Sequence, residues 1–214
     1  MVKPRPGGRS ERKRRDILDA ARTAFLERGY DETSMDDVAA KAGVSKPTIY
    51  KHFGDKDRLF SATIEAEIAD AESNTQALIN ALPTTQDLAR DLRRFARAHV
   101  ADVMQPQLVR MRRRLIGEAE RFPDLAATWF RNGPARGHST LAAVFSKLAD
   151  RGLLSIEDPL VAAEQFNWLA LIPLNRAMFF IDPIGSRELQ QAADRAVDVF
   201  LSAYGTHTHK GHSR

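Results

Sequence analysis

The chain of 214 residues contains no cysteine. That removes disulfide frameworks, thiol nucleophiles and zinc–thiolate centres together, and it suits a reducing compartment. A glycine-rich phosphate loop is also missing, as is the paired Glu-x-x-His spacing of carboxylate-bridged metal bundles. No stretch is apolar for long enough to span a bilayer: residues 160–181 come nearest, and Glu164, Gln165, Asn167, Asn175 and Arg176 interrupt them. The basic start MVKPRPGGRSERKRR has no apolar run behind it and does not read as a secretory signal. Internal repeats and strand-like alternation bounded by turn signals are absent too. These exclusions leave an all-α chain with no catalytic, metal or cofactor signature and no membrane partner, expected in the cytoplasm. It is long enough to bury roughly 70% of the surface that its unfolded form exposes.

Charge is distributed unevenly. Residues 1–60 hold 14 Lys+Arg against 10 Asp+Glu, whereas residues 61–214 hold 18 against 18, so the whole net charge of +4 lies in the first part. Within it, residues 1–15 carry seven cations and one acid. A basic arm of this kind is either a soluble tail or a strand that reaches phosphates or a minor groove.

The most informative stretch follows that arm, at residues 33–53, TSMDDVAAKAGVSKPTIYKHF. Thr33 and Ser34 each precede an acid by three residues, Asp36 and Asp37, which is the start signal of a capped helix. Val38, Ala39 and Ala42 give that helix a small apolar face, and Gly43 allows the left-handed backbone that closes it. Ser45 is placed to cap a second helix, and Pro47 falls in the first turn, where its missing N–H has no intrahelical acceptor to lose. On this second helix Ile49 and Phe53 share one face, while Pro47 and Lys51 point the other way, flanked by Thr48, Tyr50 and His52. Two short helices joined by a tight turn, with cations, hydroxyls and one aromatic facing outward, suit reading of a DNA major groove. The competing reading is a solvated face on an ordinary helical hairpin.

The run Ala-Gly-Val-Ser-Lys-Pro-Thr-Ile-Tyr-Lys-His-Phe at 42–53, followed by Lys56 and Leu59, resembles the N-terminal domain of the TetR family of bacterial transcriptional regulators. The resemblance implies that Lys46, Pro47, Thr48, Lys51 and His52 face the groove, with Ser45 at the head of the helix, and that Thr33, Ser34, Tyr50 and Lys56 hold phosphates. Many members carry glycine where this chain has Pro47, so backbone contacts at that position differ. The segment RRRLIGEAERFPDLAATWF at 112–130, with the Gly133–Pro134 break after it, resembles the C-terminal domain of the AefR-like subgroup.

Punctuation divides the remainder. Residues 1–9 read as a disordered arm, 10–55 as the helix-turn-helix domain, 56–204 as a helical domain for effector binding and dimerisation, and 205–214 as a disordered tail. A first helix is expected from Ser10 to Arg28 with Gly29 as its stop, and a long one from Lys56 to Leu82, ended by Pro83. Further helices are expected over 85–104, 107–121, 124–131 and 135–151. The last two are 158–181, kinked at Pro173, and 186–204. The tail GTHTHKGHSR has three histidines, which read as a solvated terminus rather than a metal site.

Two groove-reading units must sit about 34 Å apart to bind a palindrome, so such a protein is expected to be a homodimer on double-stranded DNA. Phe166, Leu169, Leu174, Met178, Val197, Phe200 and Leu201 make the last two helices its expected surface, and the resemblance implies a four-helix bundle there. It also implies a central pocket for a small hydrophobic or amphipathic effector, for which Phe95, His99, Met104, Met111, Arg114, Trp129 and Trp168 are candidate linings. Such a protein would be a repressor released by its effector. The alternatives are an effector-independent DNA-binding protein and, as a different class, a helical enzyme, for which His99 and His138 lack partners in sequence.

Overall fold

The computed structural model describes residues 8–206, without the side chains of residue 9 and residues 67–74. Most of the basic arm expected over 1–9, and the histidine tail from residue 207, lie outside the described residues. Within them the chain is helical: α1 (Arg9–Arg28), α2 (Met35–Ala42), α3 (Lys46–Phe53), α4 (Lys56–Ala81), α5 (Leu88–Val103), α6 (Pro106–Gly117), α7 (Pro123–Phe130), α8 (Arg136–Asp150), α9 (Pro159–Ala170), α10 (Ile172–Phe179) and α11 (Ser186–Tyr204). The only extended pairing among the described residues is an isolated bridge between Leu154 and Gly205.

Three expected boundaries differ: the helix expected over 107–121 ends at Gly117, and the other two involve prolines. Asn132, Gly133 and Pro134 do not interrupt the chain; Arg131–Ala135 form a π-helical turn that joins α7 to α8. A locally widened turn lets a helix pass a residue that has no N–H to donate. Pro173, in contrast, is associated with a full break rather than a kink. The α9 helix ends at Ala170 and α10 starts at Ile172, with Pro173 in the first turn of the new helix.

The chain falls into two compact units: the stretch ending at Ala69 together with Arg110–Asn132, and Asp70–Val109 together with the stretch beginning at Gly133. Thus the second half of α6 and all of α7 belong with the helix-turn-helix region, a division that differs from the boundary expected at residue 55. In the first unit, Ile17, Ala21 and Phe25 of α1, Val38 of α2, Ile49 and Phe53 of α3, and Leu59, Phe60 and Ile64 of α4 make one apolar core with Met111, Leu115 and Leu125. Tyr30 sits at its edge. The ring meets Phe60 and Phe122 edge-on at 5.2 and 4.5 Å, and its hydroxyl donates to the Asp57 carboxylate.

The second unit is centred on aromatic rings. Phe145 of α8, Phe166 of α9 and Phe200 of α11 lie 4.8–5.7 Å from one another and are fully buried. Arg97 of α5 makes two 2.7 Å hydrogen bonds to Asp194 of α11, and Arg93 pairs with Asp198 one turn on. Four of the seven residues expected to form a dimer surface, Phe166, Leu174, Val197 and Phe200, are buried in this core, and Leu169, Met178 and Leu201 are half-buried against it. Apolar periodicity marks which residues leave water, without saying whether their own chain or a second one covers them.

Candidate nucleic-acid interface

Helices as short as α2 and α3 are marginal in isolation, so caps and core contacts hold them. Ser34, not Thr33, is the N-cap of α2. Its hydroxyl accepts from the Asp37 amide at 3.1 Å while the Asp37 carboxylate accepts the Ser34 amide at 2.9 Å, a reciprocal box. The hydrogen bonds from Ser34 hold the Asp37 carboxyl below the usual carboxylate range, with Arg28 adding to the effect. Gly43 closes α2 at φ 64°, where its amide donates to Ala39 and Ala40. That closure turns the chain directly into α3.

The backbone of Ser45 occupies the N-cap of α3, but its hydroxyl lies 2.8 Å from the Thr48 hydroxyl rather than on an amide. Ile49 and Phe53 anchor the inner face, and burying two such side chains is worth about 3–6 kcal/mol. The outer face carries Lys46, Pro47, Tyr50 and Lys51, all exposed, with Thr48 and His52 half-exposed beside them. Lys46 is tied at 2.7 Å to Asp36 of α2, whose carboxylate holds the ammonium above its usual range. Around this face, Arg14 lies over the Phe53 ring at 5.2 Å, and Asp55 caps α4 by accepting the Arg58 amide at 2.8 Å.

Two of the expected phosphate ligands make contacts within the first unit. Thr33 is 1% exposed, and its hydroxyl donates to the carbonyls of Gly29 at 2.7 Å and Ala24 at 3.1 Å. Its hydroxyl thereby closes the α1–α2 corner. Lys56 lies 4.2 Å over the Tyr30 ring and donates to the Asp31 carbonyl at 3.2 Å, while Arg121 pairs with the Asp31 carboxylate. Burial lowers its pKa. Ser34 is exposed, but its hydroxyl donates to Asp37 at 2.6 Å, so a phosphate arriving there meets a carboxylate.

The candidate effector residues are divided between the units. Phe95, His99, Met104 and Trp168 belong to the second. There the Phe95 and His99 rings stack at 5.7 Å, and His99 Nε2 is 2.8 Å from the Asn167 amide oxygen. Met104 is half-buried against the same core, and Trp168 is 63% exposed. Met111, Arg114 and Trp129 belong to the first unit, where Met111 is core and Arg114 is exposed with its guanidinium beside Gly29.

Residues 17–63 match the family described as bacterial regulatory proteins, tetR family, and residues 90–206 match the AefR-like transcriptional repressor C-terminal domain. A TetR-family transcriptional regulator from Mesorhizobium loti MAFF303099 is 37% identical, with a TM-score of 0.88, over 94% of this chain and 100% of that one. The chain belongs to the TetR family. As a TetR-family protein it is a DNA-binding transcriptional regulator rather than an enzyme, and α2, the Gly43 turn and α3 are its helix-turn-helix. The flavonoid-responsive regulator FrrA is 29% identical with a TM-score of 0.74, over 92% of this chain and 99% of that one. The HTH-type transcriptional activator FasR of Mycolicibacterium smegmatis is 38% identical over 83 residues, which are 39% of this chain and span 36% of the length of FasR. No described helix of this regulator is long and apolar enough to cross a membrane.

Proposed function

We propose that the regulator is a cytoplasmic repressor that binds a palindromic operator as a homodimer and is released by a small apolar or amphipathic effector. The observation that carries the DNA-reading part is the division of α3: Ile49 and Phe53 are buried, while Lys46, Pro47, Tyr50 and Lys51 stand exposed on its other side. In this reading Lys46, Pro47 and Lys51, with Thr48 and His52, enter the major groove, and Tyr50, Ser34 and Ser45 meet the flanking phosphates. Lys46 exchanges the Asp36 carboxylate for DNA. Thr33 and Lys56 position the domain from within instead of contacting phosphate.

Support for pairing comes from apolar side chains that the second unit leaves exposed: Trp168, Ile172, Phe179, Phe180, Ile181 and Val199 are 53–89% exposed along α9 to α11. Patches of this size normally meet a partner, and a twofold pair of α3 helices needs one. Release follows if an effector has a higher affinity for an arrangement in which the two α3 helices no longer fit one groove spacing. The repressor sign takes its support from the AefR-like match, and FrrA, named for its response to flavonoids, supports a small-molecule effector. FasR, named as an activator, makes a promoter reporter the measure of the sign.

The test is selection of bound sequences from random duplex DNA by the purified protein at physiological salt, with the mass of the complex measured on the winner. The reading predicts an enriched palindrome with half-sites about one helical turn apart, bound by an even number of protomers. Enrichment of a single asymmetric half-site by a monomer would refute it.

A further inference from the structure

Arginines occupy positions 110, 112, 113 and 114 of α6, and they are not equivalent. Arg114 is exposed. Arg112 is partly buried, and its guanidinium lies 4.7 Å from the Trp129 ring of α7. Burial pushes its pKa down to about 10, with no carboxylate among the described residues opposing the effect, and it remains charged at neutral pH. Buried cations are ordinarily paired, because desolvation is recovered only by an opposite charge with hydrogen bonds, and an aromatic face returns part of it. Arg112 has the aromatic face and, among the described residues, no anion.

Its surroundings are unusual in a second respect. Ile116, one turn further along the same face of α6, is 60% exposed although apolar, and Trp129 is half-buried against the core that contains Met111, Leu115 and Leu125. A planar cation over an aromatic plate thus lies in the first unit, with an uncovered aliphatic side chain one turn along α6.

We propose that Arg112 and Trp129 form a binding site for a small organic carboxylate, the guanidinium taking the carboxylate and Trp129 with Ile116 taking its apolar body. The inference rests on the effector reading above and gives that effector a chemical class. One guanidinium in partly apolar surroundings matches one negative charge with two acceptor oxygens in its own planar geometry. A phosphate would bring more charge than Arg112 neutralises.

The test uses the full chain carrying Trp168→Phe, which leaves Trp129 as the sole tryptophan. Benzoate and octanoate are titrated against Trp129 fluorescence, with benzamide and octanamide as neutral matches. The expected result is a saturable change with at least one carboxylate and binding at least tenfold weaker for its amide. Arg112→Met abolishes it and Arg114→Met retains it. Because Arg112→Met removes an uncompensated charge, the ligand-free variant should melt at or above the parent temperature. Equal binding of acid and amide, no binding of either acid, or carboxylate binding unchanged in Arg112→Met would each overturn the site. Carboxylate binding that leaves operator affinity unchanged upholds the site and removes its effector role. Release by a neutral compound with no carboxylate binding overturns the site and leaves effector release standing.

Discussion

Replacing Lys56 by Met separates a DNA contact from a structural one. The structure puts the Lys56 ammonium 4.2 Å over the Tyr30 ring and within 3.2 Å of the Asp31 carbonyl, in the group that Arg121 and Phe122 complete. A half-buried cation–π contact is worth about 1 kcal/mol, between the exposed and desolvated limits, and Met retains most of the aliphatic packing. For a chain of this size about 1 kcal/mol corresponds to a fall of about 2–4 °C in melting temperature. A phosphate contact behaves differently, since losing it flattens the dependence of log K on log salt by about 0.9 per protomer. Lys56→Met is expected to lower the melting temperature and leave the salt slope unchanged, measured by calorimetry and by operator binding between low and physiological salt. A flattened slope with an unchanged melting temperature would refute the reasoning and return Lys56 to the phosphates.

His138 supplies a pH prediction. Its ring is 6% exposed with Nε2 unpaired, and burial lowers its pKa below the ordinary value of 6.5, against a weaker upward pull from Glu164. The folded state therefore binds this proton less readily than the unfolded chain. Stability is complete above the unfolded pKa and declines as pH falls below about 6.5, and His138→Phe should flatten that decline in melts taken across this range. Ser34→Ala removes the acceptor for the Asp37 amide and should destabilise by about 1 kcal/mol, seen as faster hydrogen exchange in α2 before the rest of the first unit. Phe179→Glu, at a side chain 78% exposed, should leave the helical content of the fold intact, convert the protein to monomers in light scattering, and weaken palindrome binding more than half-site binding.

The helix-turn-helix was legible because its signals are local. Gly43, the acid three residues after Ser34 and the Ile49–Phe53 pair each act within one or two turns, and all point to the same two helices. The contacts that Thr33 and Lys56 make within the first unit were not legible, for the complementary reason. Their inward partners, the carbonyls of Ala24 and Gly29 and the ring of Tyr30, are set by how α1, α2 and α4 meet. Gly133 and Pro134 look like a stop signal, yet the chain accommodates them in one widened turn, which residue identity alone does not announce. In the RRR run at 112–114, three identical side chains differ only by helical phase against α7, so the burial of Arg112 became visible only with Trp129 in place. The exposed apolar set ending in Phe179, Phe180 and Ile181 was hidden similarly, because sequence periodicity pointed first to the residues that fill the second core.

The most direct test of the central claim, that the outer face of α3 reads bases, is to repeat the random-duplex selection with Lys51→Ala. Lys51 is exposed on that face and stands in no ion pair among the described residues. Base preference should relax at one symmetry-related position in each half-site while the flanking pattern survives, with about 1–3 kcal/mol of discrimination lost there. An unchanged base preference at every position, with affinity lowered equally on all sequences, would contradict it.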